Sequence, residues 1–170
     1  MEGYIHVYTG NGKGKTTASI GLAVRAALAG KKVFIGQFIK GMEYSELHIA
    51  EYLPQIKIQQ FGRDCFIRNA PTEEDIVLAR KGLRRCEEIL EKGEYDLIIL
   101  DELNIALYFN LFSVDEVIEI LNRRNKNMEV VITGRYAPKE IIDVADLVTE
   151  MKEIKHYYNE GVEARKGIEF

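Results

Sequence analysis

Apolar and polar positions change in blocks along the chain rather than residue by residue. Residues 4–8 are β-rich and the run stops at Gly10; from Gly14 onward Ala18, Leu22, Ala23, Ala26 and Ala27 recur at helical spacing until Gly30. That pattern reads as strand, glycine loop, helix. Further apolar, β-branched runs at residues 33–39, 56–61, 97–100 and 130–133 predict four more strands, and residues 147–154 a weaker sixth. A strand with one wet face alternates, so these nearly continuous apolar runs predict a sheet covered on both faces.

Helices fill the intervals. Thr72 and Asp75 have the spacing of a helix cap, with Ile76, Ala79, Leu83, Cys86 and Leu90 forming one apolar stripe and Gly93 the stop. Cys86 thereby belongs to the core. Ser113 and Glu116 repeat the cap ahead of Val114, Val117, Ile118 and Leu121, and Pro138 predicts the first turn of a helix through Ile142. Strand and helix alternate throughout, and right-handed crossovers then give a mostly parallel sheet with helices on both faces. Ligands of such sheets bind at the C-terminal edge of the strands.

Composition narrows this picture. The 170 residues suffice for one domain, with no repeat and only three prolines, all where the periodic segments change over. We read residues 1–170 as a single domain. The 23 basic and 27 acidic residues leave a net charge of −4 without a long run of one sign, so duplex nucleic acid is not the expected partner. The start of the chain lacks the basic region and cleavage site of an export signal, and no stretch approaches the roughly 18 apolar residues of a membrane span. The two cysteines, Cys65 and Cys86, make neither a disulfide framework nor a zinc site, which points to a reducing cytoplasm. Nothing around Cys65 marks a reactive thiolate. His156 lacks Cys, His or carboxylate neighbours at ligand spacing and is read as structural.

The chemistry lies in Thr9-Gly10-Asn11-Gly12-Lys13-Gly14-Lys15-Thr16-Thr17, between the first strand and the first helix. A phosphate-binding loop needs that context. Its glycines let backbone N–H groups turn inward as an anion nest, the helix N-terminus adds its positive end, Lys15 reaches phosphate oxygens, and Thr16 offers a hydroxyl to Mg²⁺. The usual first glycine is Thr9 here, with extra glycines at 10 and 12, so the loop is a variant. A second element, Tyr95-Asp96-Leu97-Ile98-Ile99-Leu100-Asp101-Glu102, is an apolar strand ending in two carboxylates at the same sheet edge and resembles a Walker B element. One carboxylate can hold Mg²⁺ directly or through water while the other orients a ligand or an outer water; which does which stays open. Together the motifs indicate a nucleoside triphosphate and a P-loop NTPase-like, RecA-like α/β fold. A RecA-like ATPase, a nucleoside kinase and an ATP-binding regulator are all compatible with spacing alone.

Over essentially its whole length the chain resembles the P-loop class of ATP:corrinoid adenosyltransferases. The resemblance rests on the phosphate loop, Gln37-Phe38-Ile39-Lys40-Gly41, Leu100-Asp101-Glu102-Leu103-Asn104, Thr133-Gly134-Arg135 and Ala145-Asp146-Leu147-Val148-Thr149-Glu150-Met151. It is most diagnostic in the tail, Lys155-His156 with Gly161, Ala164 and Gly167-Ile168-Glu169-Phe170. It implies transfer of the 5′-deoxyadenosyl group of ATP to cobalt(I) of a reduced corrinoid, with triphosphate as leaving group and cobalt as nucleophile, in adenosylcobalamin biosynthesis or salvage. It also implies an electron donor such as a flavoprotein, and a homodimer.

On this reading Gly10, Asn11, Gly12, Lys13, Gly14, Lys15, Thr16 and Thr17 hold the polyphosphate, and Arg25 matches a family position near the nucleotide. Lys15 and Glu102 are the candidate catalytic residues, and Thr16, Asp101 and Glu102 the candidate Mg²⁺ ligands. Family members carry a Phe-x-Trp type segment after the third strand. This chain has Phe61-Gly62-Arg63-Asp64-Cys65-Phe66-Ile67 and no tryptophan, so Phe66 and Ile67 are the candidate corrin contacts.

Overall fold

A computed structural model describes residues 2–64, 67 and 70–170. The elements run β1 (Ile5–Thr9), α1 (Lys15–Leu28), β2 (Val33–Phe38), a 3-10 turn (Ser45–His48) leading into α2 (Ile49–Tyr52), then β3 (Ile56–Phe61) and α3 (Glu73–Lys92). There follow β4 (Leu97–Asp101), α4 (Leu103–Tyr108), α5 (Val114–Arg123), β5 (Glu129–Thr133), α6 (Lys139–Asp143), β6 (Leu147–Glu150) and a second 3-10 turn (Tyr157–Glu160). The strands form one sheet in the order β3-β2-β4-β5-β1-β6, and every pairing is parallel.

Both faces of the central sheet are covered, for the reason the apolar runs suggest. Along β4, Leu97 and Ile99 pack with Ala23, Ala26 and Ala27 of α1. The intervening Ile98 and Leu100 pack with Leu83, Cys86 and Leu90 of α3 and Val117 and Leu121 of α5. Successive side chains of a strand point to opposite faces, so a strand buried on both must be apolar throughout. Each fully buried Leu or Ile contributes about 1.5–3 kcal/mol relative to exposure.

Two helix starts follow their local chemistry. Thr72 and Asp75, and likewise Ser113 and Glu116, form reciprocal capping boxes at the N-termini of α3 and α5. Gly93 ends α3 in the left-handed conformation (φ 67°).

Two expectations are corrected, and two short helices were not anticipated. The sixth strand ends at Glu150 rather than 154, and its four residues are exposed, because β6 is an edge strand without a covering helix. Pro138 flanks α6 as its N-cap in extended backbone instead of occupying its first turn. The α4 and α2 helices had no signal at all: each is one or two turns long, and neither has a side-chain cap.

Candidate nucleotide site

The loop joining β1 to α1 is shaped by glycines whose side-chain positions are already taken. A Cβ on Gly10 would stand 2.5 Å from the Met151 carbonyl oxygen, and one on Gly12 2.7 Å from the same atom. Met151 follows β6, the neighbour of β1. Its amide donates to the Thr9 carbonyl at 2.8 Å, and its carbonyl accepts from the Gly12 amide at 2.7 Å. Gly14 starts α1 with φ 115°, a conformation that L side chains avoid. Thr9, where the usual motif has glycine, is buried at the end of β1, and its hydroxyl accepts from the Ala137 amide at 3.4 Å.

Thr16 joins this loop to the acidic end of β4. Its hydroxyl donates to Asp101 Oδ1 at 2.9 Å, and the Thr133 hydroxyl donates to the same oxygen at 2.7 Å. Lys40 Nζ donates to Asp101 Oδ2 at 2.7 Å, with Gln37 Nε2 at 3.2 Å from that atom. Four partners thus hold a carboxylate with no exposed surface. Burial alone would raise the Asp101 pKa, but the Lys40 ammonium and these hydrogen bonds outweigh it and hold the carboxyl below its usual range.

Glu102 next to it has the opposite balance. Burial first, and then the Asp101 charge, push its pKa up against the pull of Lys40 and Lys15. It adopts φ 59° as the N-cap of α4, and its amide donates to the Thr133 hydroxyl at 3.0 Å. Lys15 is buried with Nζ on the Gly12 carbonyl at 2.6 Å. Burial, joined by the Arg135 charge, lowers its pKa while Glu102 and Asp101 oppose the shift.

Beside them lies a cavity of about 780 Å³ lined by Thr16, Thr17, Lys40, Tyr44, Glu102 and the tail residues Ile168 and Phe170. The tail ties its two sides together. Lys13 Nζ donates to the Ile168 carbonyl at 2.8 Å and to Glu169 Oε1 at 3.0 Å, and Ser45 Oγ donates to the Phe170 carbonyl at 3.0 Å. Glu169 also accepts from the Tyr157 hydroxyl and pairs with Arg165.

The structure brings the predicted Lys13, Lys15, Thr16, Thr17, Asp101 and Glu102 to one sheet edge beside Gly10, Gly12 and Gly14. Asn11 turns outward there, with Oδ1 accepting from the Glu153 amide at 3.1 Å. Arg25 lies elsewhere, exposed in the last turn of α1 and about 15 Å along the helix from Lys15. Ile67 is half-buried in an irregular segment, and Phe66 and Cys65 lie outside the described residues.

Sequence reasoning assigned no role to Lys40, Gln37, Thr133 or Asn104. Gln37, Lys40 and Thr133 are polar residues near the ends of apolar strands, Asn104 lies on α4 just beyond β4, and all four fall within the stretches that carry the resemblance. Asn104 is fully buried; its Nδ2 donates to the Gly134 carbonyl at 3.1 Å while its Oδ1 has no partner among the described residues.

Comparison with known proteins matches residues 1–170 to the family described as ATP:corrinoid adenosyltransferase BtuR/CobO/CobP. The chain belongs to this family. The corrinoid adenosyltransferase of Escherichia coli K12 is 37% identical to it over 175 residues, covering 99% of this chain and 86% of that protein. Corrinoid adenosyltransferase CobA of Salmonella typhimurium has the same identity and coverage. A Sinorhizobium corrinoid adenosyltransferase is 35% identical, over 99% of this chain and 81% of its own. Among solved structures, the KaiC-like protein PH0186 of Pyrococcus horikoshii superposes with a TM-score of 0.57 over 91% of this chain and 75% of that one. At 17% identity it speaks for the α/β fold alone.

Proposed function

We infer that this chain is a transferase that moves the 5′-deoxyadenosyl group of ATP to the cobalt of a reduced corrinoid. One observation carries the reading: Thr16 ties a phosphate loop directly to Asp101, in a chain that matches the adenosyltransferase family from residue 1 to residue 170. An ATPase or nucleoside kinase would use the same loop and release ADP. Family membership does not favour that alternative.

In the proposed reaction the cobalt(I) electron pair attacks C5′, the C5′–O bond breaks, and triphosphate departs with the bonding electrons. No protein nucleophile is needed. The loop from Gly10 to Thr17 would hold the polyphosphate so that C5′ faces the cavity, and Lys15 would neutralise charge on the departing oxygen. Phe66 and Ile67 would pack against the corrin. The whole chain would work as one adenosyltransferase domain.

The donors at the loop suit Mg²⁺. The Thr16 hydroxyl and Asp101 carboxylate are hard oxygen ligands 2.9 Å apart, with Glu102 adjoining. No group of three or more His, Cys, Asp or Glu side chains gathers among the described residues. When bound, Mg²⁺ supplies positive charge to the leaving triphosphate. Glu102, adjoining Asp101 at the same strand end, would either join the ligands or orient an outer water.

The same reading includes an electron donor such as a flavoprotein, a homodimer and a cytoplasmic setting. No described helix is long and apolar enough to cross a membrane.

Anaerobic incubation with ATP, Mg²⁺ and chemically reduced corrinoid tests the activity. The expected result is a light-sensitive alkylcobalt absorption spectrum that Lys15→Ala reduces at least a hundredfold in rate. An unchanged corrinoid spectrum with the natural chain overturns it.

A further inference from the structure

The chain turns sharply at the end of β2, where Ile39 packs against the core. Ile39 adopts φ 60°, a left-handed conformation that a β-branched residue rarely tolerates. The backbone on either side is gripped. A Cβ on Gly41 would lie 2.4 Å from the Arg63 backbone, and one on Gly62 2.4 Å from the Ile39 carbonyl carbon. Strain of this kind persists where the surrounding structure over-determines it, and it clusters at ligand clamps.

The residue so placed is Lys40. Because β2 pairs directly with β4, with Gln37 in register with Asp101, the turn at Ile39 carries Lys40 over the acidic end of β4. Its ammonium stands 2.7 Å from Asp101 Oδ2, 3.4 Å from Thr16 Oγ1, 3.7 Å from Glu46 and 5.0 Å from the centre of the Tyr44 ring. The side chain is only 12% exposed, and what remains open faces the cavity. A lysine buried among these partners is fixed in position. Its distance from the Thr16 hydroxyl puts it within reach of any phosphate oxygen seated at the start of α1.

We propose that Lys40 is a third phosphate-contacting lysine beside Lys13 and Lys15, held over the loop by Asp101 and the strained Ile39 turn, and that it binds the polyphosphate portion of the nucleotide. This rests on the nucleotide reading above and deepens it. Lys13 from the loop, Lys15 from the start of α1 and Lys40 from the turn after β2 would surround the polyphosphate. A bidentate guanidinium is not required, because an ammonium serves phosphate as a point charge.

Removing Lys40 alone would strand the buried Asp101 charge and endanger folding. The test therefore compares Asp101→Asn, in which Glu46 at 3.7 Å remains as the counter-charge of Lys40, with the double variant Lys40→Met/Asp101→Asn, in which neither partner is left charged and unpaired. Inorganic triphosphate is titrated calorimetrically in EDTA, so that metal ligation plays no part, and adenosine serves as a phosphate-free control. The expected result is that the double variant binds triphosphate at least tenfold more weakly than Asp101→Asn, with adenosine unaffected. Equal triphosphate affinities would overturn the assignment while leaving the phosphate loop intact. If the natural chain binds no triphosphate, whereas it does bind adenosine, both the assignment and the nucleotide reading fall together.

Discussion

Thr16 has one oxygen and two duties. It donates to Asp101 at 2.9 Å, and in the proposed function the same hydroxyl would ligate Mg²⁺. Thr16→Val keeps the shape and removes that oxygen. Affinity for ATP with Mg²⁺ should fall about tenfold or more, as expected when a hard cation loses one of its few protein ligands. Affinity for ATP in EDTA should stay within about twofold, a contrast that titration calorimetry resolves. An equal loss in both conditions would mean that Thr16 acts on the phosphates and not through the metal. Asp101 and Glu102 illustrate how neighbours diverge. Adjacent in sequence and both buried, they are driven to opposite sides of the carboxylate range: Lys40, Thr133 and Thr16 converge on the first and outweigh its burial, while burial and then the Asp101 charge push the second up.

At the scale of elements, Asp75 does double work. It closes the capping box of α3 with Thr72 and pairs through both oxygens with Arg63, at 2.7 and 2.8 Å, so it staples the exit of β3 to the start of α3. The Arg63 hydrogen bonds, followed by those from the Thr72 backbone and hydroxyl, hold its pKa at about 2 against a usual 3.8. A carboxyl lowered on folding adds stability above its unfolded value and loses it as pH falls through the folded one. Asp75→Asn should therefore cost about 1–2 kcal/mol near neutrality. In urea unfolding the difference from the natural chain should shrink as pH falls from about 4 towards 2. A pH-independent difference would show that the carboxylate's charge plays no part.

The two capping boxes and the strand–loop–helix start of the site were legible because their partners lie three residues apart or in one short run. Lys40 was not legible as a site residue. Its meeting with Asp101, 61 positions away, depends on β2 lying beside β4, which no local pattern states. The same holds for α4: its start depends on Glu102 taking a left-handed conformation that carboxylates seldom adopt, supported by Thr133 from another strand.

For the whole molecule, the C-terminal segment binds the two sides of the cavity together. Glu169 sits at its centre, held to Lys13 of the phosphate loop, to Arg165 and to Tyr157. Glu169→Gln should loosen this strap without touching the core. Amide exchange across residues 157–168 should quicken several-fold while that of β4 is unchanged, as befits a segment with few buried contacts. Unaltered exchange in the tail would show that Ser45 and the Lys13 bond to Ile168 suffice to hold it.

The central claim is alkyl transfer from ATP with triphosphate as the leaving group. Phosphorus NMR of the anaerobic reaction mixture, read against the amount of cobalt–carbon bond formed, tests it most directly. One triphosphate is expected for each alkylcobalt product, with no accumulation of ADP. Cobalt–carbon bond formation without equivalent triphosphate, or ADP and phosphate beside an unaltered corrinoid, would contradict it.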